Sequence, residues 1–295
     1  MAAVVKSGSS STSLLKKSSR VPYILLAPGL FWLALFFVAP IATLVTTSTK
    51  IPGMGIGEYV QGWRWANYSD ALTQSLPQFG RSFGYAFIAT VMGLAIAYPL
   101  AYGIAFKAGK WKNILLVLVV APFFCSFILR TIAWKQILGS EGPLFTVLRD
   151  IGLAGPTTHL TATAPAVIAG LTYNFLPFMT LPLYSSLERI DPRVLEASGD
   201  LYANTFTTFR KVTLPLSMPG VVAGTLLTFI PAAGDYVNAE ILGNPQTKMI
   251  GNVINAQFLN TLNYPLAASL SFILMSAILI AVMVYIRRAG TEDLV

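Results

Sequence analysis

Residues 265–286 read PLAASLSFILMSAILIAVMVYI, 22 residues without a charged side chain, closed by Arg287-Arg288. At about 1.5 Å rise per residue, a helix of that length crosses a hydrocarbon core about 30 Å thick. Five further apolar runs occupy roughly 22–48, 83–106, 113–134, 163–187 and 219–240. In lipid an apolar run must satisfy its own backbone groups, and a helix does so. The sequence therefore predicts an all-α, polytopic membrane protein with six transmembrane helices. A chain that is 55% hydrophobic and 11% charged is no ordinary soluble domain.

The formal net charge of +8 is distributed as a membrane requires, so no nucleic-acid partner is expected. With the N-terminus in the cytoplasm, inside segments hold 13 of the 20 Lys and Arg residues and outside segments and helix ends hold 7. The opposite orientation inverts that ratio. Six spans then return the C-terminus to the cytoplasm. The first run is too long for the core of a cleaved leader and is read as a retained helix. Cys125 and His159 are the only cysteine and the only histidine, so neither a disulfide within the chain nor a Cys/His metal site is expected.

Residues 1–20 are Ser-rich and basic, and read as a disordered cytoplasmic tail ahead of one membrane domain over 21–288. Residues 289–295 form a short C-terminal tail. Residues 49–82 read as an external loop. Trp111 and Trp134 bracket the third span and would stand about 34 Å apart along a straight helix, at two aromatic belts. Pro143 to Leu153 suits a short helix on the membrane surface, and Ile250, Val253, Ile254 and Phe258 recur at helical spacing between the last two spans. Pro99, Pro122, Pro177 and Pro231 interrupt four consecutive spans. Such breaks favour helix faces turned to protein or water.

Between spans four and five, Glu188 to Met218 is far longer than a turn requires. Asp191-Pro192 is a helix start, with Asp at the cap and Pro at the first helical position. A second helical stretch runs from Thr205 to Val212. Glu196-Ala197-Ser198 followed by Val212-Thr213-Leu214-Pro215 resembles the EAA loop of inner-membrane components of binding-protein-dependent ABC importers. The Glu-to-Pro register fits that pattern. Ser198 replaces an alanine, and Tyr202 stands where the family has the glycine of the turn. Asn204 tolerates the left-handed conformation better than most residues, so the turn is expected to survive but to shift toward it. No Gly-x4-Gly-Lys-Ser/Thr loop is present, so no catalytic residue and no bound cofactor are expected.

The resemblance implies a type I ABC importer permease fold in the bacterial inner membrane. It also implies four kinds of neighbour: a second permease subunit, two ATP-binding subunits that carry ATP and Mg, an extracytoplasmic substrate-binding protein, and membrane lipid. The resemblance further assigns ATPase coupling to Glu196, Ala197, Ser198, Asp200, Tyr202, Asn204, Leu214 and Pro215. It extends over about residues 22–288 and is strongest toward spermidine/putrescine permeases, through Gly234-Asp235-Tyr236-Val237, Met249 to Ile254 and Gln257 to Asn260.

A polyamine path needs carboxylates and aromatic faces. Asp235 lies about 24 Å along span five, near its outer end, and an ionisable residue in a span is a functional candidate. Tyr236 and Glu240 share a helical face beside it. Tyr173 and Asn174 complete the expected substrate path, with Tyr85, Tyr98, Tyr102 and Tyr184 also inside spans. Arg130 near the outer end of span three is the competing ion-pair partner for Asp235. Other substrates of the same class (ferric iron, sulfate, thiamine, a sugar) and a secondary transporter are the alternatives. No internal repeat supports the latter.

Overall fold

A computed structural model describes residues 21–55, 57–152 and 159–289. Among these, four helices are long and apolar enough to cross a membrane, and six if each of two sharply bent pairs counts as one span. The tail 1–20 and the residues after Ala289 lie outside the described residues.

The first span is α1 (Val21–Leu33), a π turn (Ala34–Val38) and α2 (Ala39–Ser48). It stands exposed along most of its length and joins the bundle only at its end, where Ser48 is buried and its Oγ meets the Tyr68 hydroxyl at 2.6 Å. The sequence predicts a loop over 49–82. Instead, a two-stranded hairpin, β1 (Lys50–Pro52) with β2 (Tyr59–Gln61), leads straight into α3 (Ala66–Tyr102). Buried Ala71, Ser75 and Phe79 explain the difference: this polar-looking stretch already packs against Ile250, Leu270 and Leu274 of the last two helices.

The third span departs most from expectation. α4 (Lys112–Val120) ends in a 3₁₀ turn, Ala121–Phe124, and α5 (Phe127–Ile137) leaves at 98°. Pro122 supplies no backbone donor, and Cys125 and Ser126 are extended. The carbonyl of Pro122 accepts from Cys125 N at 3.2 Å, closing the 3₁₀ turn, and from Arg130 Nη1 at 2.7 Å. Trp111 and Trp134 therefore do not mark the two ends of a straight helix, and Trp134 packs its ring on Tyr173 at 5.1 Å.

A short amphipathic α6 (Pro143–Asp150) follows, then α7 (Ala164–Glu188), capped by Thr163 Oγ1. The long loop forms α8 (Pro192–Asp200), α9 (Thr205–Thr208), a π turn (Phe209–Thr213) and α10 (Leu214–Leu216). α11 (Met218–Ala233) leaves that loop at 66°. α12 (Val237–Leu242), α13 (Ile250–Leu259) and α14 (Tyr264–Ala289) complete the chain.

The centre of the bundle is α3, α7 and α11. Apolar burial drives little association inside lipid, so small residues that allow close approach decide which faces meet. Ala86, Ala89, Ala97 and Ala101 are the buried alanines of α3 within the two central clusters. On α11, Gly220 and Gly224 form a seam against α7. A Cβ on Gly220 would lie 2.7 Å from the Pro182 carbonyl oxygen, and one on Gly224 would lie 3.0 Å from that of Met179.

Candidate functional site

The break after α11 builds the first site. α11 stops at Ala233, so Asp235 and Tyr236 are not within a helix as span five predicts, and Glu240 belongs to α12. The cause is local. Asp235 Oδ1 accepts from the Asn238 backbone N–H at 2.8 Å and so caps a new helix. Gly251 permits the turn to close, because a Cβ there would meet the carbonyl oxygens of Gly234 and Asp235 at 2.7 and 2.8 Å.

The Asp235 carboxylate is 8% exposed. It makes no ion pair among the described residues, Arg130 included. Two buried amides connect the two charges instead. Asn238 Nδ2 donates to Asp235 Oδ2 at 3.2 Å, and Asn174 Nδ2 donates to Asn238 Oδ1 at 2.8 Å. Arg130 Nε donates to Asn174 Oδ1 at 2.6 Å, while Asn174 Nδ2 also reaches Thr131 Oγ1 at 3.1 Å. Every amide in this row points its oxygen toward the cation and its nitrogen toward the anion, as the end charges demand. Arg130 is further held over the rings of Phe123 and Phe127 at 5.2 and 5.6 Å.

Tyr236 and Glu240 sit beside this row, both exposed, fastened by Asn252. Its Nδ2 donates to the Tyr236 carbonyl and to Glu240 Oε2, each at 2.9 Å. Asp235, Asn174, Tyr236 and Glu240 are thus gathered near the break. Tyr173 is spent on Trp134. Asn238 and Thr131 are absent from the sequence expectation, and Asn252 enters it only within the Met249 to Ile254 segment of the resemblance. The three-residue spacing of Asp235 and Asn238, an Asx cap, is the signal that marks Asn238.

The second site is the loop. Asp191 Oδ1 accepts from Arg193 N at 2.9 Å, so the predicted helix start is in place. Glu196, Ala197 and Asp200 lie on the exposed side of α8. Ser198 is buried and bonds Thr208 Oγ1 at 2.9 Å, tying α8 to α9. The turn survives but does not shift. Tyr202 itself takes the left-handed conformation at φ 59°, while Asn204 at φ −73° caps α9 through Thr207 N. Tyr202 N bonds Gly199 O and Ala203 N bonds Ser198 O, the paired bonds of a Schellman end. The register of those two bonds forces residue 202, whatever its side chain, into the glycine conformation.

The loop is fixed to the bundle at its far end. The Tyr98 hydroxyl of α3 bonds Ser217 Oγ at 2.7 Å, and its ring meets Phe209 edge-on at 5.4 Å. Leu214 packs into the same cluster, and Pro215 is exposed beside it. Ser186 Oγ accepts from Gly220 N at 3.1 Å. A displacement of α8 and α9 therefore has direct contacts through which to reach α3, α7 and α11.

The family described as binding-protein-dependent transport system inner membrane component matches residues 97–289. This chain belongs to that family. The match takes in the loop, α11 and the Asp235 break, so both sites lie on the part that defines these inner-membrane ABC permeases. Among relatives of the family, the spermidine/putrescine transport system permease protein PotB of Haemophilus influenzae is 38% identical over 257 residues, covering 87% of this chain and 90% of that protein. The PotB protein of Escherichia coli is 38% identical over 208 residues, covering 70% and 76%. The fold matches a bacterial ABC transporter involved in the import of the acidic polysaccharide alginate. That likeness has a TM-score of 0.72 at 17% identity and covers 91% of this chain and 94% of that one. At that identity the likeness concerns the fold alone.

Proposed function

We propose that the chain is the membrane-spanning permease subunit of an ATP-driven polyamine importer. The observation that carries this reading is the Asp235 carboxylate. It is buried at a helix break, its charge is compensated only at a distance through Asn238 and Asn174, and exposed Tyr236 and Glu240 stand beside it. An unpaired buried carboxylate is costly unless a cation visits it. The PotB relatives, named for spermidine and putrescine, supply a cation of that kind.

In this reading the loop 188–218 faces the cytoplasm, as do both termini, and Asp235 lies toward the outer side. A second permease subunit completes the path. Two ATP-binding subunits hold ATP and Mg and engage α8 through Glu196 and its neighbours. An external binding protein delivers the substrate. Closure of the ATPase pair moves α8 and α9, and the Tyr98–Ser217 and Ser186–Gly220 contacts pass that movement to the core helices.

Asp235→Asn tests the reading. A neutral amide keeps the shape and can still accept from the Asn238 backbone N–H, but its NH2 cannot accept from Asn238 Nδ2, and it loses the charge-assisted bond to an ammonium. Spermidine uptake by the assembled importer should fall at least about tenfold, with complex assembly and basal ATP hydrolysis retained. Unchanged uptake would make Asp235 a structural cap and remove the main support for a cationic substrate.

A further inference from the structure

Glu188 closes α7, three residues before the Asp191 cap of α8, and the path described above makes no use of it. Its Oε1 accepts from Lys112 Nζ at 2.6 Å. The same ammonium lies 5.3 Å from the centroid of the Tyr184 ring, one turn back on α7. Tyr184 and Glu188 are four residues apart, so ring and carboxylate share one helix face. Lys112 reaches them from the start of α4. The ring is packed within the cluster of Leu183, Leu187 and Ile190 and holds a fixed position.

A carboxylate and an aromatic face converging on one ammonium is the chemistry that recognises a primary alkylammonium. The group now held there is four methylenes ending in an ammonium. That is also the aminobutyl arm of putrescine and spermidine. The pair is open to solvent, with the Lys112 and Glu188 side chains 28% and 46% exposed. An ion pair so exposed is weak and exchanges readily. Lys110 and Arg189, both exposed nearby, oppose a second positive charge. The site therefore suits one ammonium held briefly, as release from a path requires.

We propose that Glu188 and Tyr184 form an amine subsite at the cytoplasmic mouth, filled by Lys112 until the aminobutyl end of a departing polyamine displaces it. This rests on the polyamine reading. The subsite lies at the opposite end of the bundle from Asp235 and uses none of the same residues. Lys112 acts as a tethered copy of the substrate's end and occupies the subsite when substrate is absent.

The test is equilibrium binding of labelled putrescine to the full complex of permeases and ATPases in lipid nanodiscs, without the binding protein. Removing the internal competitor with Lys112→Met should tighten putrescine binding about fivefold, the most that an exposed ion pair withholds. n-Butylamine should compete with it and n-butanol should not. Lys112→Arg, which refills the site, should show no gain. Adding Glu188→Gln to Lys112→Met should abolish the gain, and Asp235→Asn should leave it intact. Retained ATP hydrolysis in Lys112→Met shows that the complex is assembled. No gain in that assembled variant, or a gain that survives Glu188→Gln, overturns the subsite. Gain in n-butylamine binding in a complex that takes up no spermidine would support the subsite and refute the polyamine reading, so the two fail separately.

Discussion

Asp235 and Arg130 carry opposite charges on neighbouring elements, yet they are joined only through Asn238 and Asn174. Replacing one amide should show whether the row acts as a unit. Asn174→Leu keeps the size but strands Arg130 Nε and Asn238 Oδ1. It should destabilise the protein by about 1–3 kcal/mol, read as a lower unfolding temperature in detergent. An unchanged temperature would mean that water or lipid headgroups replace the amide without cost. Tyr202 offers a second test. Its φ of 59° costs a side-chain-bearing residue about 1–2 kcal/mol, and its side chain, 99% exposed, returns no packing within the chain. Tyr202→Gly should therefore slow hydrogen exchange at the 202 and 203 amides about fivefold, even after glycine's larger unfolded-state entropy is counted. At this scale the sequence exposes Asp235, because a carboxylate in an apolar run stands out. It marks Asn238 only through its spacing from Asp235 and hides Thr131, because a polar uncharged residue gains meaning only when the fold brings it within hydrogen-bond distance of a partner.

The elements were legible as apolar runs and illegible as shapes. Spans four and six lie at α7 and α14 nearly residue for residue, since a long uncharged run with a cap or a basic end fixes both limits. The 98° bend in span three was not legible. Hydropathy sees the same apolar composition on both sides of Cys125-Ser126, and Pro122 announces a break without its angle. The α11 break was missed for a similar reason, because the Asp235 cap competes with helix continuation and the winner depends on Gly251 approaching from another element. The seam of α11 on α7 leaves no room for a side chain at Gly220. Gly220→Val places branched carbons into the Pro182 carbonyl and Ser186, overpacking that costs about 1–3 kcal/mol and forces the helices apart. It should lower the yield of assembled complex in size-exclusion profiles. A normal profile and normal stability would mean that the α7–α11 crossing is looser than the contacts require.

Over the whole molecule, the long loop pointed to the family from sequence through the resemblance of Glu196-Ala197-Ser198 and Val212-Thr213-Leu214-Pro215 to the EAA loop. The contacts that join it to the bundle were not readable, since Tyr98 and Ser217 are 119 positions apart. Tyr98→Phe removes that hydroxyl bond while keeping the ring against Phe209. It should loosen coupling, so that more ATP is hydrolysed per spermidine imported while assembly is unaffected. An unchanged ratio would place transmission in the contacts that remain, the Tyr98–Phe209 ring packing and the Ser186–Gly220 bond. A polyamine importer is defined by its cargo and its driving force together. Reconstituting the complete importer in liposomes and following labelled spermidine measures both. Uptake should be saturable, require ATP, be blocked by putrescine, and be indifferent to sulfate and sugars. ATP hydrolysis with no spermidine uptake, or uptake by this chain alone on an ion gradient, would contradict an ATP-driven polyamine importer.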